Sequence, residues 1–126
     1  MSTIIATTLS NGSVSVPTAT VVNGSAKAWV NFNGTSTIAA RDSFNVASLT
    51  DGGTGIYTIG WTAAMGNANY AFLGTSGASA SYYLFVSPNS AGTKTTSAYR
   101  IDVIRNDVGN YDDPTYVNAA IHGDLA

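Results

Sequence analysis

The segment Gly-Ile-Tyr-Thr-Ile-Gly-Trp, residues 55–61, alternates large apolar side chains with small or polar ones. Successive side chains of a β-strand point to opposite faces, so this spacing places three large residues on one face: Tyr57, Ile59 and Trp61. Segment 97–105 has the same period and gives a second apolar face: Tyr99, Ile101 and Val103. Both segments therefore predict half-buried strands.

Five further runs are rich in β-branched and aromatic residues and are separated by turn-forming residues: 26–32, 42–49, 70–75, 81–87 and 115–122. Residues that stabilise solvent-facing helices are scarce, since the chain has no Glu, no Gln, two Lys and five Leu. We therefore expect an all-β fold without a helix of convincing length. About seven to eight such strands are typical of an antiparallel β-sandwich, and we expect a jelly-roll-like arrangement.

Three Asn-Gly dipeptides occur in the first third of the chain: Asn11-Gly12, Asn23-Gly24 and Asn33-Gly34. Both residue types tolerate a positive φ, which makes Asn-Gly the strongest short signal for a hairpin turn. Each dipeptide also forms an N-x-[ST] glycosylation motif. Because residues 1–30 lack the basic start and apolar stretch of a signal peptide, we interpret all three as turns.

The composition divides the chain into two parts. Residues 1–25 carry no charge and no aromatic side chain, and we expect them to form an N-terminal arm or edge hairpin used for attachment. Residues 26–126 hold all the aromatic residues and are expected to form the β-sandwich domain. A single domain suits a chain of 126 residues.

Charged residues make up only 10% of the chain, against roughly 25% in an average soluble domain. This scarcity indicates that other copies or a larger particle cover much of the surface, although Ser and Thr hydroxyls could hydrate it instead. Segment 81–87 points the same way, because large side chains lie on both of its faces. We expect its oligomer contacts at three residues: Tyr82, Tyr83 and Phe85. The alternative is a central strand covered by a loop.

The inventory of catalytic groups is small: one His, no Cys, no Glu and seven Asp. His122 lies near the C-terminus, and the chain has no Gly-x-Ser-x-Gly motif, so we expect no enzyme activity. A zinc site needs three or four ligands, and we expect neither a metal site nor a cofactor. The acidic stretch 106–113 could bind a hard cation, but its spacing does not match an EF-hand, which favours an acidic turn.

The five basic residues are scattered, so the sequence gives no electrostatic footprint for nucleic acid. No run approaches the length of a membrane-spanning helix. Aromatic residues could form a sugar-stacking platform, with Trp29 and Trp61 among them, but most are expected in the core. Tyr111 lies outside the strand-like runs and is our candidate surface contact.

Four consecutive blocks of sequence form an extended, ordered pattern: Ala-Lys-Ala-Trp-Val-Asn-Phe-Asn-Gly-Thr (26–35), Arg-Asp-Ser-Phe-Asn-Val-Ala-Ser-Leu-Thr-Asp (41–51), Gly-Thr-Gly-Ile-Tyr-Thr-Ile (53–59) and Ala-Met-Gly-Asn-Ala-Asn-Tyr-Ala (64–71). The pattern resembles a β-rich domain widespread in the tail-fibre and other virion appendage proteins of tailed bacteriophages. The resemblance implies a virion structural protein, often trimeric, displayed on the particle exterior. It supplies no catalytic motif.

Such domains often end long fibre chains, whereas about 25 residues precede the domain here. We therefore expect a short fibre, spike or knob, made in the host bacterial cytoplasm and displayed on the virion exterior. Its expected partners are further copies of the chain, other virion proteins contacted through residues 1–25, and a host-surface glycan or receptor. A capsid decoration or cement protein is the alternative, followed by a monomeric carbohydrate-binding module.

Overall fold

The computed structural model describes residues 1–77, 84–88, 94–106 and 109–126. These ranges contain ten strands and one short helix: β1 (Thr8–Ser10), β2 (Ser15–Pro17), α1 (Thr18–Gly24), β3 (Ala28–Asn33), β4 (Ala39–Phe44), β5 (Val46–Asp51), β6 (Ile56–Trp61), β7 (Ala71–Ser76), β8 (Leu84–Pro88), β9 (Ala98–Arg105) and β10 (Val117–His122). Strands β3 to β10 form two antiparallel sheets, with the orders β4-β3-β10-β7 and β5-β6-β9-β8. The sheets pack face to face, which confirms the predicted all-β sandwich.

The order of the strands differs from a jelly roll, in which consecutive strands mostly alternate between the two sheets. Here β3 pairs with β4 in the first sheet, and β5 pairs with β6 in the second. Short connections close both pairs as hairpins, because each supplies a residue with positive φ: Ser36 after β3, and Gly53 and Gly55 after β5. Local turn chemistry therefore keeps these consecutive strands in one sheet.

The core lies between the sheets and is built from alternate residues of the central strands. The first sheet contributes Ala28, Val30, Phe32, Val117, Ala119 and Ile121, and the second contributes Tyr57, Ile59, Trp61, Tyr99, Ile101 and Val103. Phe32 meets Tyr57 across the sandwich edge to face, with ring centroids 5.1 Å apart. Both alternating faces predicted from the sequence are therefore buried as expected.

The chain passes from the first sheet to the second at Asn45, where the predicted strand 42–49 is divided into β4 and β5. Asn45 adopts a left-handed conformation, with φ of 55°, which Asn tolerates better than most residues. Its side-chain Nδ2 donates to the carbonyl oxygens of Lys27 (2.9 Å) and Ala63 (3.1 Å), and its Oδ1 accepts from the backbone amide of Ala63 (2.6 Å). These three bonds fix the corner that joins the two sheets.

The N-terminal segment, residues 1–25, contains a hairpin and a helix. Gly12, with φ of 94°, lies in the turn between β1 and β2, so the first Asn-Gly prediction is confirmed. The second is wrong, because Asn23-Gly24 ends α1 instead of forming a hairpin turn. Pro17 precedes the helix with φ of −57°, and the ammonium group of Lys27 donates to carbonyl oxygens at its end. The third dipeptide, at the end of β3, opens the β3–β4 connection.

Candidate binding surface

Titratable groups in the described ranges are few and scattered. No group of three or more His, Cys, Asp or Glu side chains is placed there to hold a metal ion. His122 is the last residue of β10, and its Nδ1 lies 3.2 Å from the carbonyl oxygen of Gly24. The imidazole therefore links the end of the sandwich to the end of α1. No helix in these ranges is long and apolar enough to cross a membrane.

The acidic stretch before β10 has a structural contact at Asp113. Its carboxylate accepts a hydrogen bond from the Tyr57 hydroxyl at 2.7 Å and another from the Gly55 amide at 2.6 Å. Burial of Tyr57, followed by its hydrogen bond to Asp113, holds the pKa of this phenol well above its usual value. Asp113 thus fastens the loop before β10 to β6. Asp107, in the same acidic stretch, lies outside the described residues.

The outer face of the first sheet, turned away from the second sheet, carries two rows of side chains that cross all four strands. Strand register aligns one row of apolar residues: Phe44, Trp29, Ala120 and Leu73. A neighbouring row is polar: Asp42, Asn31, Asn118 and Thr75. Neighbouring residues within a row lie about 4.8 Å apart, the spacing between strands. The two rows run parallel and about 6.8 Å apart, the repeat of residues on one face of a strand.

Three side chains of the polar row are hydrogen-bonded in sequence: Asn31, Asn118 and Thr75. Asn31 Nδ2 donates to Asn118 Oδ1 at 2.6 Å, and Asn118 Nδ2 donates to Thr75 Oγ1 at 3.2 Å. Beyond this row, the guanidinium of Arg41 stacks over the exposed ring of Tyr116, 4.2 Å from its centroid. The row is therefore a preorganised line of amide and hydroxyl groups rather than a set of independent surface side chains.

A groove of about 700 Å³ follows β10 on this face, and we call it the β10 groove. It is lined by residues of three strands: Trp29, Val30, Asn31, Leu73, Gly74, Thr75, Asn118, Ala119 and Ala120. Trp29 and Leu73 form its walls because they flank the small side chain of Ala120 in the apolar row. Trp29 is 39% exposed, Leu73 55% and Phe44 52%. None of the residues lining the groove is charged.

Sequence reasoning missed this surface, although a signal was present. The sequence predicts most aromatic residues in the core and gives no local reason to treat Trp29 differently. The alternation in β3 buries Ala28, Val30 and Phe32, which places Trp29 and Asn31 on the opposite face. Register across strands far apart in the chain then assembles the two rows, and no local pattern reveals that register.

Of the predicted oligomer contacts, Phe85 lies in β8 with 58% of its surface exposed, beside Ile104 of β9. Leu84 and Val86 pack against the core, so the two-faced character expected of this strand is present in its described part. Tyr82 and Tyr83 lie outside the described residues. Tyr111, the candidate surface contact, is 42% exposed. The contact roles of Phe85 and Tyr111 remain predictions.

Comparison of the chain with protein-family models finds no match, and comparisons with curated proteins and with solved structures find no significant similarity.

Proposed function

We propose that this chain is a bacteriophage virion structural protein that forms a small, surface-exposed trimeric fibre, spike or knob. The resemblance of residues 26–71 to domains of virion appendage proteins supports the class of protein. One structural observation carries the assembly part of the proposal: the N-terminal segment buries none of its side chains. The segment is where we place the contacts with neighbouring copies and with the particle.

The N-terminal segment is apolar enough to form a protein interface. Its exposed hydrophobic residues include Met1, Ile4, Ile5, Leu9, Val14, Val16, Val21 and Val22. Burying one Val, Leu or Ile side chain contributes roughly 1.5–3 kcal/mol, so leaving all of them in water forgoes a large stabilisation. The segment also has no charged side chain to hydrate it. Packing against another protein surface supplies the missing burial.

The accessible surface of the whole chain agrees with this interpretation. It is 7443 Å², whereas a compact monomer of 12.9 kDa exposes about 6,300 Å². The excess, about 1,100 Å², is comparable to the roughly 800 Å² that each partner contributes to a standard protein interface. A single copy therefore exposes an interface-sized surface beyond that of a compact monomer.

Sedimentation of the purified full chain at micromolar concentration tests the assembly. We expect a particle of about three times the 12.9 kDa chain mass, and a stable monomer would contradict the proposal. Changing Ile4 and Ile5 together to Asp should dissociate the particle, because a buried unpaired charge costs several kcal/mol. Changing Ser2 and Thr3 to Asp is the matched control, since it adds the same charge at neighbouring polar positions.

The predicted contact at Phe85 is tested separately. Phe85→Asp should also dissociate the particle if this side chain packs against a neighbouring copy, while Thr58→Asp on the same sheet should not. An unchanged sedimentation coefficient for Phe85→Asp would remove β8 from the interface and leave the N-terminal segment as the contact.

Labelling the protein on intact particles, released by the bacterial culture that produces it, tests its location. A few discrete projections are expected for an appendage. Label spread across the capsid faces would instead indicate the alternative, a decoration or cement protein. Absence of the protein from purified particles would refute both.

A further inference from the structure

The β10 groove and its flanking residues have a composition that the sandwich itself does not require. Trp29, Phe44 and Leu73 point away from the core, and each exposes more than a third of its surface. Trp29 and Phe44 are paired on adjacent strands, so their exposed rings form one continuous apolar strip on this face of the sheet.

The charge of the surface excludes several ligand classes. The residues that line the groove are uncharged, and the one charged group in the adjoining polar row is the carboxylate of Asp42. An anionic ligand such as a phosphate, a nucleic acid or an acidic peptide needs basic partners, which this groove lacks. A neutral ligand is favoured.

The polar row specifies the ligand further. Each Asn amide carries two N–H donors and two acceptor lone pairs. The bonds along the row use one donor of Asn31 and one of Asn118, so both amides keep donor and acceptor capacity toward solvent. A set of adjacent hydroxyl groups, each both donor and acceptor, is the complement of such a line. An aliphatic protein surface would leave these amides unpaired at a cost of about 1–3 kcal/mol each.

The two rows together match the two kinds of surface on a sugar ring. The C–H groups of a pyranose form an apolar face that packs on an aromatic ring, while its hydroxyl groups project around the edge. Four strands about 4.8 Å apart give rows about 14 Å long, and the groove volume of about 700 Å³ lies within the range of small-molecule sites. The surface is therefore long enough for a short oligosaccharide rather than a single ring.

We propose that the β10 groove binds a neutral oligosaccharide. A sugar ring stacks on Trp29, with Phe44 extending the apolar row, while hydroxyl groups hydrogen-bond to Asp42, Asn31 and Asn118. This site would provide the expected contact with a host-surface glycan, and in that biological role it rests on the proposed function. Sugar binding itself is a property of the purified chain and can be measured without the virion.

The experiment measures binding of neutral hexasaccharides of glucose, galactose and N-acetylglucosamine to the full chain by calorimetry and tryptophan fluorescence. Trp29 is the exposed reporter, because Trp61 is only 7% exposed. Trp61→Phe isolates the signal of Trp29. We expect saturable binding of at least one sugar, with a change in Trp29 emission.

Two groove variants and one control decide the location. Trp29→Ala should weaken binding by about tenfold or more, and Asn31→Ala by about 3–10-fold, the loss expected for one or two hydrogen bonds. Phe44→Ala gives a second aromatic test if Trp29→Ala fails to fold. Leu125→Ala removes a similarly exposed apolar side chain elsewhere, next to Met65, and should leave the affinity unchanged.

Three results would overturn the proposal. The first is that none of the three sugars binds. The second is that Trp29→Ala and Asn31→Ala both bind the sugar with the affinity of the parent chain. Dissociation of the oligomer by Trp29→Asp would identify the outer face as an interface between copies instead. The first two results concern sugar binding alone and do not bear on the oligomeric state of the parent chain. Sedimentation of the parent chain therefore tests the assembly proposal separately.

Discussion

Removing the hydroxyl of Tyr57 should destabilise the sandwich by a measurable and predictable amount. The ring is fully buried against Phe32, and Tyr57→Phe keeps that packing while deleting the 2.7 Å bond to the Asp113 carboxylate. Hydrogen bonds to charged groups contribute about 1.5–3 kcal/mol, more than bonds between neutral groups. Since Asp113 retains its bond from the Gly55 amide, we expect a loss within this range rather than above it.

A double-mutant cycle separates this bond from other effects of each substitution. Asp113→Ala removes the acceptor for both Tyr57 and Gly55 and leaves the buried phenol without its main partner, so it should cost more than Tyr57→Phe. In the Tyr57→Phe variant, Asp113→Ala should cost at least about 1 kcal/mol less than it costs in the parent chain. This difference is the coupling energy expected for groups in direct contact.

Thermal and denaturant unfolding, followed by circular dichroism at one fixed protein concentration, measures these losses. For a chain of this size each kcal/mol lowers Tm by about 4 °C, so Tyr57→Phe should melt roughly 6–12 °C below the parent. Tyr111→Phe, at an exposed position, is the control and should change stability by less than about 0.5 kcal/mol. A coupling energy below about 0.3 kcal/mol would refute the role given to Asp113.

Three further predictions concern the same framework. Burial raises the pKa of Tyr70 to about 12 and raises that of Tyr57 further, so both stay protonated in the fold while unfolded phenols ionise near 10. The free energy of unfolding should therefore fall by roughly 1 kcal/mol per pH unit for each phenol between about pH 10 and 12. Phenolate absorbance should rise together with unfolding. A free energy of unfolding that does not change over that pH range would contradict this prediction. Gly34→Ala should destabilise the fold by about 1–3 kcal/mol in chemical denaturation, because the added Cβ would meet the Tyr57 side chain and lie 2.9 Å from the Pro114 carbonyl oxygen. Gly24→Ala is the matched control, since a Cβ at that position has no atom within contact distance. Asn45→Gly should lose less stability than Asn45→Ala, since Gly keeps the left-handed backbone, and equal melting temperatures would argue against backbone strain at this corner.

The strands could be predicted from the sequence because their alternation is local. In β6 and β9 the period of two separates buried from outward residues over a few positions, and it needs no knowledge of the partner strands. The break at Asn45 could not be read in this way. Both sides of it have strand character, and the residue bends the chain only because Lys27 and Ala63, distant in sequence, supply its hydrogen-bond partners.

Asp102 shows a second limit of local patterns. The alternation places it opposite the core, yet it is only 4% exposed. Ile56 and Ser87 flank it on the two neighbouring strands, and Arg100 forms an ion pair with it at 3.5 Å. Its burial depends on which strands lie beside β9, so the sequence pattern alone indicates a surface residue.

The outer face depends on long-range register in the same way. Trp29 and Leu73 become the walls of one groove only because β10, from the end of the chain, inserts between β3 and β7. The low charge of the sequence predicts that part of the surface contacts a partner, but the sequence pattern places that contact in segment 81–87. The described structure adds two other surfaces, the N-terminal segment and the β10 groove.

Most basic side chains in the described part of the chain contact other groups of the same chain. Lys27 lies against the end of α1, and Arg41 is stacked on a tyrosine. Lys94 donates to the Tyr70 carbonyl oxygen at 2.8 Å, and Arg100 pairs with a buried carboxylate. These four basic residues are thus held by contacts within the chain, so none of them forms part of a separate basic patch.

The two uncovered surfaces differ in chemistry, and this difference argues for two separate partners. The N-terminal segment offers aliphatic side chains without aromatic or charged groups, which suits packing against another protein surface. The outer face instead combines two aromatic rings with a hydrogen-bonded line of amides, which suits a hydroxyl-rich ligand. If each surface has its own partner, Ile4→Asp should alter sedimentation while Trp29→Ala alters sugar binding, and neither change should produce the effect of the other.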